Sequence, residues 1–184
     1  KPEGSDEGII KGMYRLIENK KQQVILLGSG SILNESVKAV EILSSVGIAA
    51  EVWSVTSFNM LRKDGIDKQR FNELNPDLLS KVSYVKECLS NESIPVIAST
   101  DYMRAYPEQI RSYIKAPFYT LGTDGYGRSD SREKLREFFE IDANNIARMA
   151  AYDLFKKGSM TKTEINKIYK KLKVNPAKPN PWEV

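Results

Sequence analysis

The chain has 184 residues, 41% of them hydrophobic and 28% charged, with a net charge of +4, one cysteine and no histidine. That length suits a single domain with a buried core, and a charge this modest, without aromatics interleaved among the basic residues, argues against nucleic-acid binding. The missing histidines and the lone Cys88 exclude an internal disulfide, zinc-type ligand sets and Ser-His or Cys-His nucleophile systems.

The opening residues, Lys1-Pro2-Glu3-Gly4-Ser5-Asp6-Glu7, are polar and do not form a signal peptide. This hydrophilic start without an initiator methionine reads as a piece of a longer polypeptide, with residues 1–8 as a linker remnant. No apolar run reaches bilayer length, so a cytoplasmic protein without a membrane partner is expected. Residues 12–17 alternate roughly apolar and polar, as a half-buried strand does. A polar turn over 18–23 separates them from Val24-Ile25-Leu26-Leu27, a fully buried strand, and the two predict an antiparallel hairpin. Past Gly28-Ser29-Gly30, the residues Leu33, Val37, Val40 and Leu43 recur at helical spacing, and Gly47 stands where a C-terminal glycine cap belongs. Residues 48–55 form the next strand, completing a βαβ unit with parallel pairing.

Residues 58–92 read as an irregular connection with helices, punctuated by Gly65 and Pro76, with Cys88 as a small core residue. A short buried strand spans 94–98, and Thr100 or Asp101 caps a helix running toward Ile114. Another strand spans 118–121 and leads into the turn-rich segment 122–132. Helices fill the remainder: one with Leu135, Phe138 and Phe139, one with Ile146, Met149, Ala150 and Leu154, and one opened by the capping box Thr161/Glu164. Lys170, Lys171, Lys173 and Lys178 make a solvated basic face, and the Pro- and Asn-rich residues 174–184 make a surface tail. The pattern is that of an α/β domain over 9–173, a mixed, mostly parallel five-stranded sheet flanked by helices.

Two segments carry candidate sites. Ser29, Gly30 and Ser31 join a strand to a helix, the setting of an anion-binding turn, but Leu33 stands where a dinucleotide fingerprint needs a third small residue. A tight turn is the simpler reading, and a stand-alone anion- or nucleotide-binding domain is the alternative it leaves open. Asp124, Arg128, Ser129, Asp130 and Arg132 crowd a glycine-rich loop. They read either as a solvent loop, with Ser129 or Asp130 capping the next helix, or as a docking loop making paired contacts with another surface. Gly122-Thr123-Asp124-Gly125 with Asn144-Asn145 superficially matches a magnesium-diphosphate motif, yet the two Asn residues are more simply helix-start residues, and no metal site is expected.

The loop Gly-Thr-Asp-Gly-Tyr-Gly-Arg-Ser-Asp-Ser-Arg-Glu at 122–133 closely resembles the C-terminal domain of homodimeric bacterial pyruvate dehydrogenases. Leu26-Leu27-Gly28-Ser29-Gly30-Ser31-Ile32-Leu33, Trp53-Ser54-Val55-Thr56-Ser57-Phe58 and Ala98-Ser99-Thr100-Asp101-Tyr102-Met103 are similar too, in the same order. The resemblance implies a transketolase C-terminal fold. It also implies a full-length enzyme that decarboxylates pyruvate on thiamine diphosphate with magnesium and reductively acetylates a lipoyl group. Its implied partners are the other domains of the same polypeptide, a second copy, and the dihydrolipoyl acetyltransferase component. In that family the cofactor lies between domains absent here, so no catalytic, cofactor-binding or metal residue is carried onto this chain, and the segment alone is expected to be inactive, serving assembly and interdomain packing.

Overall fold

A computed structural model describes residues 1–183, leaving Val184 of the tail outside. The sheet has five strands: β1 (Met13–Ile17), β2 (Val24–Ser29), β3 (Ala50–Val55), β4 (Val96–Ser99) and β5 (Phe118–Leu121). They lie in the order β1-β3-β2-β4-β5. β2 pairs in parallel with both β3 and β4, and β4 pairs in parallel with β5.

The expected hairpin does not form. β1 pairs antiparallel with β3, Met13 opposite Val55, and leaves β2 to two parallel neighbours. Burial explains the choice. The first five residues of β2 are all buried, which requires neighbours and helices on every side, whereas β1 is buried only at Met13 and suits the edge. Along β2 the apolar run divides by strict alternation: Val24 and Leu26 face one core cluster, Ile25 and Leu27 the other.

On the first face pack α2 (Leu33–Ser44), α7 (Ala143–Lys156) and α8 (Lys162–Lys171). α7 buries Ile146, Ala147, Ala150, Ala151 and Leu154, whose spacing keeps them on one side of the helix. Its N-cap is Asp142, which accepts from the Asn145 amide at 3.2 Å, so Asn144 and Asn145 are first-turn residues. The capping box of α8 is present in both halves, Thr161 to Glu164 and back. On the second face pack α3 (Phe58–Leu74) and α4 (Tyr84–Cys88), through Phe58, Leu61 and Val85. Cys88 is half-buried against this cluster, and burial pushes its thiol pKa up.

Gly65 does not break the chain but lies inside α3, where an added Cβ would fall 2.3 Å from the Tyr113 ring, so the residue is small because an aromatic lies across it. After β4, Thr100 and Asp101 cap no helix: Thr100 accepts from the Tyr102 amide at 3.2 Å in a side-chain turn, and only the short α5 (Ala105–Glu108) and a 3-10 turn (Arg111–Tyr113) follow. α6 (Arg132–Phe138) is capped by Ser131, neither Ser129 nor Asp130. α1 (Asp6–Lys11) starts inside the expected linker, and the C-terminal segment runs back over the domain to a buried Pro181.

Candidate functional site

Strand order reverses at β2: the chain goes outward to β3, then crosses to β4 and β5 on the other side. In open parallel sheets such a reversal opens a crevice beyond the carboxyl ends of the two central strands. Here the crevice lies between the turn after β2 and the turn after β4, and the structure brings Ser31 and Asp101 together in it. Ser31 Oγ donates to Asp101 Oδ2 at 3.1 Å and accepts from Arg136 of α6 at 3.2 Å. Gly30 is left-handed, φ +58°, and its missing side chain makes room for Asp101, whose Oδ1 would stand 2.8 Å from a Cβ there. Beneath, the buried hydroxyls of Ser36 and Ser99 pair at 3.0 Å.

Arg136 also donates to Glu35 at 3.0 Å, and Glu35 accepts from Lys38 at 3.0 Å and from the Ala143 amide at 3.1 Å. Burial alone would raise the Glu35 pKa. The Lys38 and Ala143 hydrogen bonds, with the charges of Lys38 and Arg136, hold it below the usual value instead. The cluster therefore ties α2, α6 and the start of α7 to the turn after β2. Sequence reasoning missed it, since Glu35 and Arg136 lie 101 residues apart and each looks like an ordinary surface helix charge.

The expected anion turn thus faces a carboxylate. Ser31 is engaged on both sides, while Ser29 is half-buried and Gly30 exposed. An incoming anion would meet Asp101 as well as Arg136, so the turn offers little net attraction.

The loop residues separate into two groups. Asp124 is committed internally: Oδ1 accepts from the Arg104 amide at 3.0 Å and Oδ2 lies 3.4 Å from Arg104 Nε as an ion pair without hydrogen-bond geometry. The Arg128 guanidinium lies over the Phe138 ring, 4.6 Å from its centre. Asp130 accepts from the Ser131 amide at 2.7 Å, and Ser129, Asp130 and Arg132 are exposed. The C-terminal segment supports this loop. Trp182 Cα would stand 3.0 Å from a Cβ on Gly125, and Lys178 donates to the Glu137 and Phe138 carbonyls at the end of α6 at 2.7 and 2.9 Å.

A cleft of about 1090 Å³ opens between this segment and the starts of α6 and α7. Several of its charges are paired: Arg148 with Glu140 at 3.0 Å, Lys178 with Glu140 at 3.4 Å, Arg136 with Glu35. Among the described residues there is no group of three or more His, Cys, Asp or Glu able to hold a metal. Asp124 is taken by Arg104, and Asn145 donates to Asp142 at 2.6 Å and accepts from Arg148 at 2.9 Å, so these side chains do not fit a magnesium-diphosphate group. Among the described residues no helix is long and apolar enough to cross a membrane.

Similar proteins agree on one family. Residues 12–142 match the transketolase-like TK C-terminal domain. A pyruvate dehydrogenase E1 component from Pseudomonas aeruginosa is 49% identical over 99% of this chain and 21% of its own length. One from Escherichia coli K12 is 45% identical over 98% of this chain and 20% of its own length. The chain thus spans about a fifth of the curated relatives it matches. Among solved structures, a transketolase from Pichia stipitis superposes with a TM-score of 0.61 at 22% identity, over 83% of this chain and 19% of that one. A transketolase from Leishmania mexicana gives 0.56 at 21% identity, over 85% of this chain and 20% of that one. With the sheet order, the two helical layers and the 12–142 match in agreement, the chain belongs to the transketolase-like C-terminal domain family.

Proposed function

We propose that this chain is the C-terminal, non-cofactor-binding domain of a pyruvate dehydrogenase that uses thiamine diphosphate and magnesium. Its own work is assembly and interdomain packing. The observation that carries the reading is identity of 45–49% along nearly the whole chain to E1 components about five times longer. The full-length enzyme would decarboxylate pyruvate and reductively acetylate a lipoyl group of the dihydrolipoyl acetyltransferase component, working as a homodimer in the cytoplasm. Thiamine diphosphate supplies the electron sink for that decarboxylation when bound to the rest of the enzyme. The domain is proposed over residues 9–173, with 1–8 as a lead-in whose last residues open α1 and 174–184 as a tail that buries Pro181. Within it the loop of Asp124, Arg128, Ser129, Asp130 and Arg132 docks on the other domains: Asp124 and Arg128 fix its shape, and exposed Ser129, Asp130 and Arg132 are free to meet a surface.

Titration calorimetry of the 184-residue chain with thiamine diphosphate and magnesium tests the division of labour. No binding is expected, and micromolar binding of defined stoichiometry overturns it. The longer polypeptide should release carbon dioxide from pyruvate when supplied with both; its failure to do so overturns the assignment of activity. The alternative, a stand-alone anion- or nucleotide-binding domain at Ser29, Gly30 and Ser31, is favoured only by the position of that turn at the strand-order reversal. The Asp101 carboxylate in front of it weighs the other way.

A further inference from the structure

All strands but β1 run the same way, and their carboxyl ends are level: Val55 with Ser29, Gly28 with Ser99, Ser99 with Leu121. β1 runs opposite, so its first residue, Met13, sits at this same end, beside Val55. The chain therefore enters the domain from the carboxyl end of the sheet, through α1. That end also carries a group of exposed aromatic and apolar side chains from three separate segments. Tyr102 and Met103 follow β4, Tyr126 follows β5, and Trp182 belongs to the C-terminal segment. Tyr126 is 85% exposed and Trp182 53%.

Hydrogen bonds tie together the turns that carry them. The Thr123 amide and hydroxyl donate to the Tyr102 and Asp101 carbonyls, both at 2.9 Å. Asp124 holds the Arg104 amide at 3.0 Å, the Arg104 guanidinium lies 5.9 Å from the Trp182 ring, and the Tyr102 and Tyr106 rings meet at 4.9 Å, tilted by 36°. Tyr, Trp, Met and Arg are enriched at interfaces, and a backbone already tied together before binding loses less entropy on contact.

We infer that this aromatic rim, Tyr102, Met103, Tyr126 and Trp182, is the centre of an interdomain contact whose occupant is the polypeptide that precedes Lys1 in the longer protein. The inference rests on the docking role proposed for the 122–132 loop and names its partner. The chain is a fifth of its relatives' length, and what comes before it arrives at the end of the sheet that bears the rim. The lead-in is at the β1 edge and the rim at the β5 edge, four strand spacings or about 19 Å apart, which one preceding domain of ordinary size spans. The charged loop residues then form the polar margin of the contact.

The test uses the longer protein with Tyr126→Cys, Trp182→Cys or Leu79→Cys, each at an exposed position, and alkylation rates read peptide by peptide. Leu79 is 93% exposed in the segment after α3 and serves as a comparison. Cysteines at 126 and 182 should react at least about tenfold more slowly in the native than in the denatured protein, as for a desolvated contact. Hydroxyl-radical labelling of Tyr126 and Trp182 in the unsubstituted protein reads the same surface without a substitution. Native and denatured rates within about threefold at both positions overturn the rim. If position 79 alone is protected, the domain docks by another face, and the rim falls while the docking role stands. If all three react freely, both fall. A benzophenone cross-linker on Tyr126→Cys should capture a peptide from before Lys1, and capture of this domain in a second copy overturns the stated occupant.

Discussion

Arg136→Ala measures how firmly α6 is tied to the carboxyl end of the sheet. Glu35 is 5% exposed and accepts from Arg136, Lys38 and the Ala143 amide. A hydrogen bond to a charged group contributes about 1.5–3 kcal/mol. Removing one partner of a fully buried pair costs about 3–5 kcal/mol. Glu35 keeps two donors in the variant, and Lys38 is largely solvated, so the lower range applies and the loss should be about 2 kcal/mol. In a domain of this size that lowers Tm by about 4–8 °C. Urea unfolding checks it, with the m value watched for a change in the end states. Glu35→Gln should cost less beside Arg136→Ala than alone, with a coupling of at least about 1 kcal/mol. A loss below about 0.5 kcal/mol with no coupling would refute the reasoning: the pair would then be an ordinary surface ion pair, and α6 would be held by Leu135, Phe138 and Phe139 with Lys178 on its last carbonyls.

Stability should be flat between about pH 6 and 7.5, because the chain has no histidine to titrate there. It should fall below the ordinary carboxylate pKa of 4.5, because Glu35 and Glu108 are held lower in the folded state: Glu35 against its burial, by Lys38, Ala143 and Arg136; Glu108 by its bond from Arg111, outweighing burial, with Thr120 adding to it. As pH drops through that region the unfolded chain binds protons first, so stability present above 4.5 is lost toward the lower folded values. Thermal melts across both windows check the sign, and a Tm shift of more than about 3 °C within the neutral window counts against it. Thr161→Ala should cost about 1 kcal/mol by removing the capping box of α8, and urea unfolding that shows under about 0.3 would mean the helix is held by Ile165 and Ile168 alone. Arg128→Ala should cost the 184-residue chain at most about 1 kcal/mol, an exposed cation–ring contact, while weakening assembly of the longer protein. A loss above about 2 kcal/mol in the short chain would make the loop an internal structural element and end its docking role.

Much of this fold was legible because its signals are local. The 118–121 strand, the Gly47 cap and the Thr161/Glu164 box each lie within a few residues, and all three form as expected. The hairpin failed because a short polar turn does not decide pairing when one strand is buried throughout: β2 needed β3 and β4, and β1 took the edge. Gly65 failed for a related reason. A glycine reads as a break until the ring of Tyr113, 48 positions on, is known to lie across it.

The site follows the same rule more severely, because its contacts are almost all long-range. The charged loop announced itself by composition, yet composition could not show that Asp124 and Arg128 are spent on Arg104 and Phe138 while Ser129, Asp130 and Arg132 remain exposed. Nor could a glycine-rich turn show that the space it opens is filled by Asp101. The rim went unread because residues 174–184 look like a plain surface tail, although a large apolar ring is unusual in such a Pro- and Asn-rich segment unless another surface covers it. Within this domain Trp182 stays half exposed and presses its backbone on Gly125. The tail therefore packs against the loop at Gly125, and it leaves an uncovered ring at the end of the sheet from which the chain arrives.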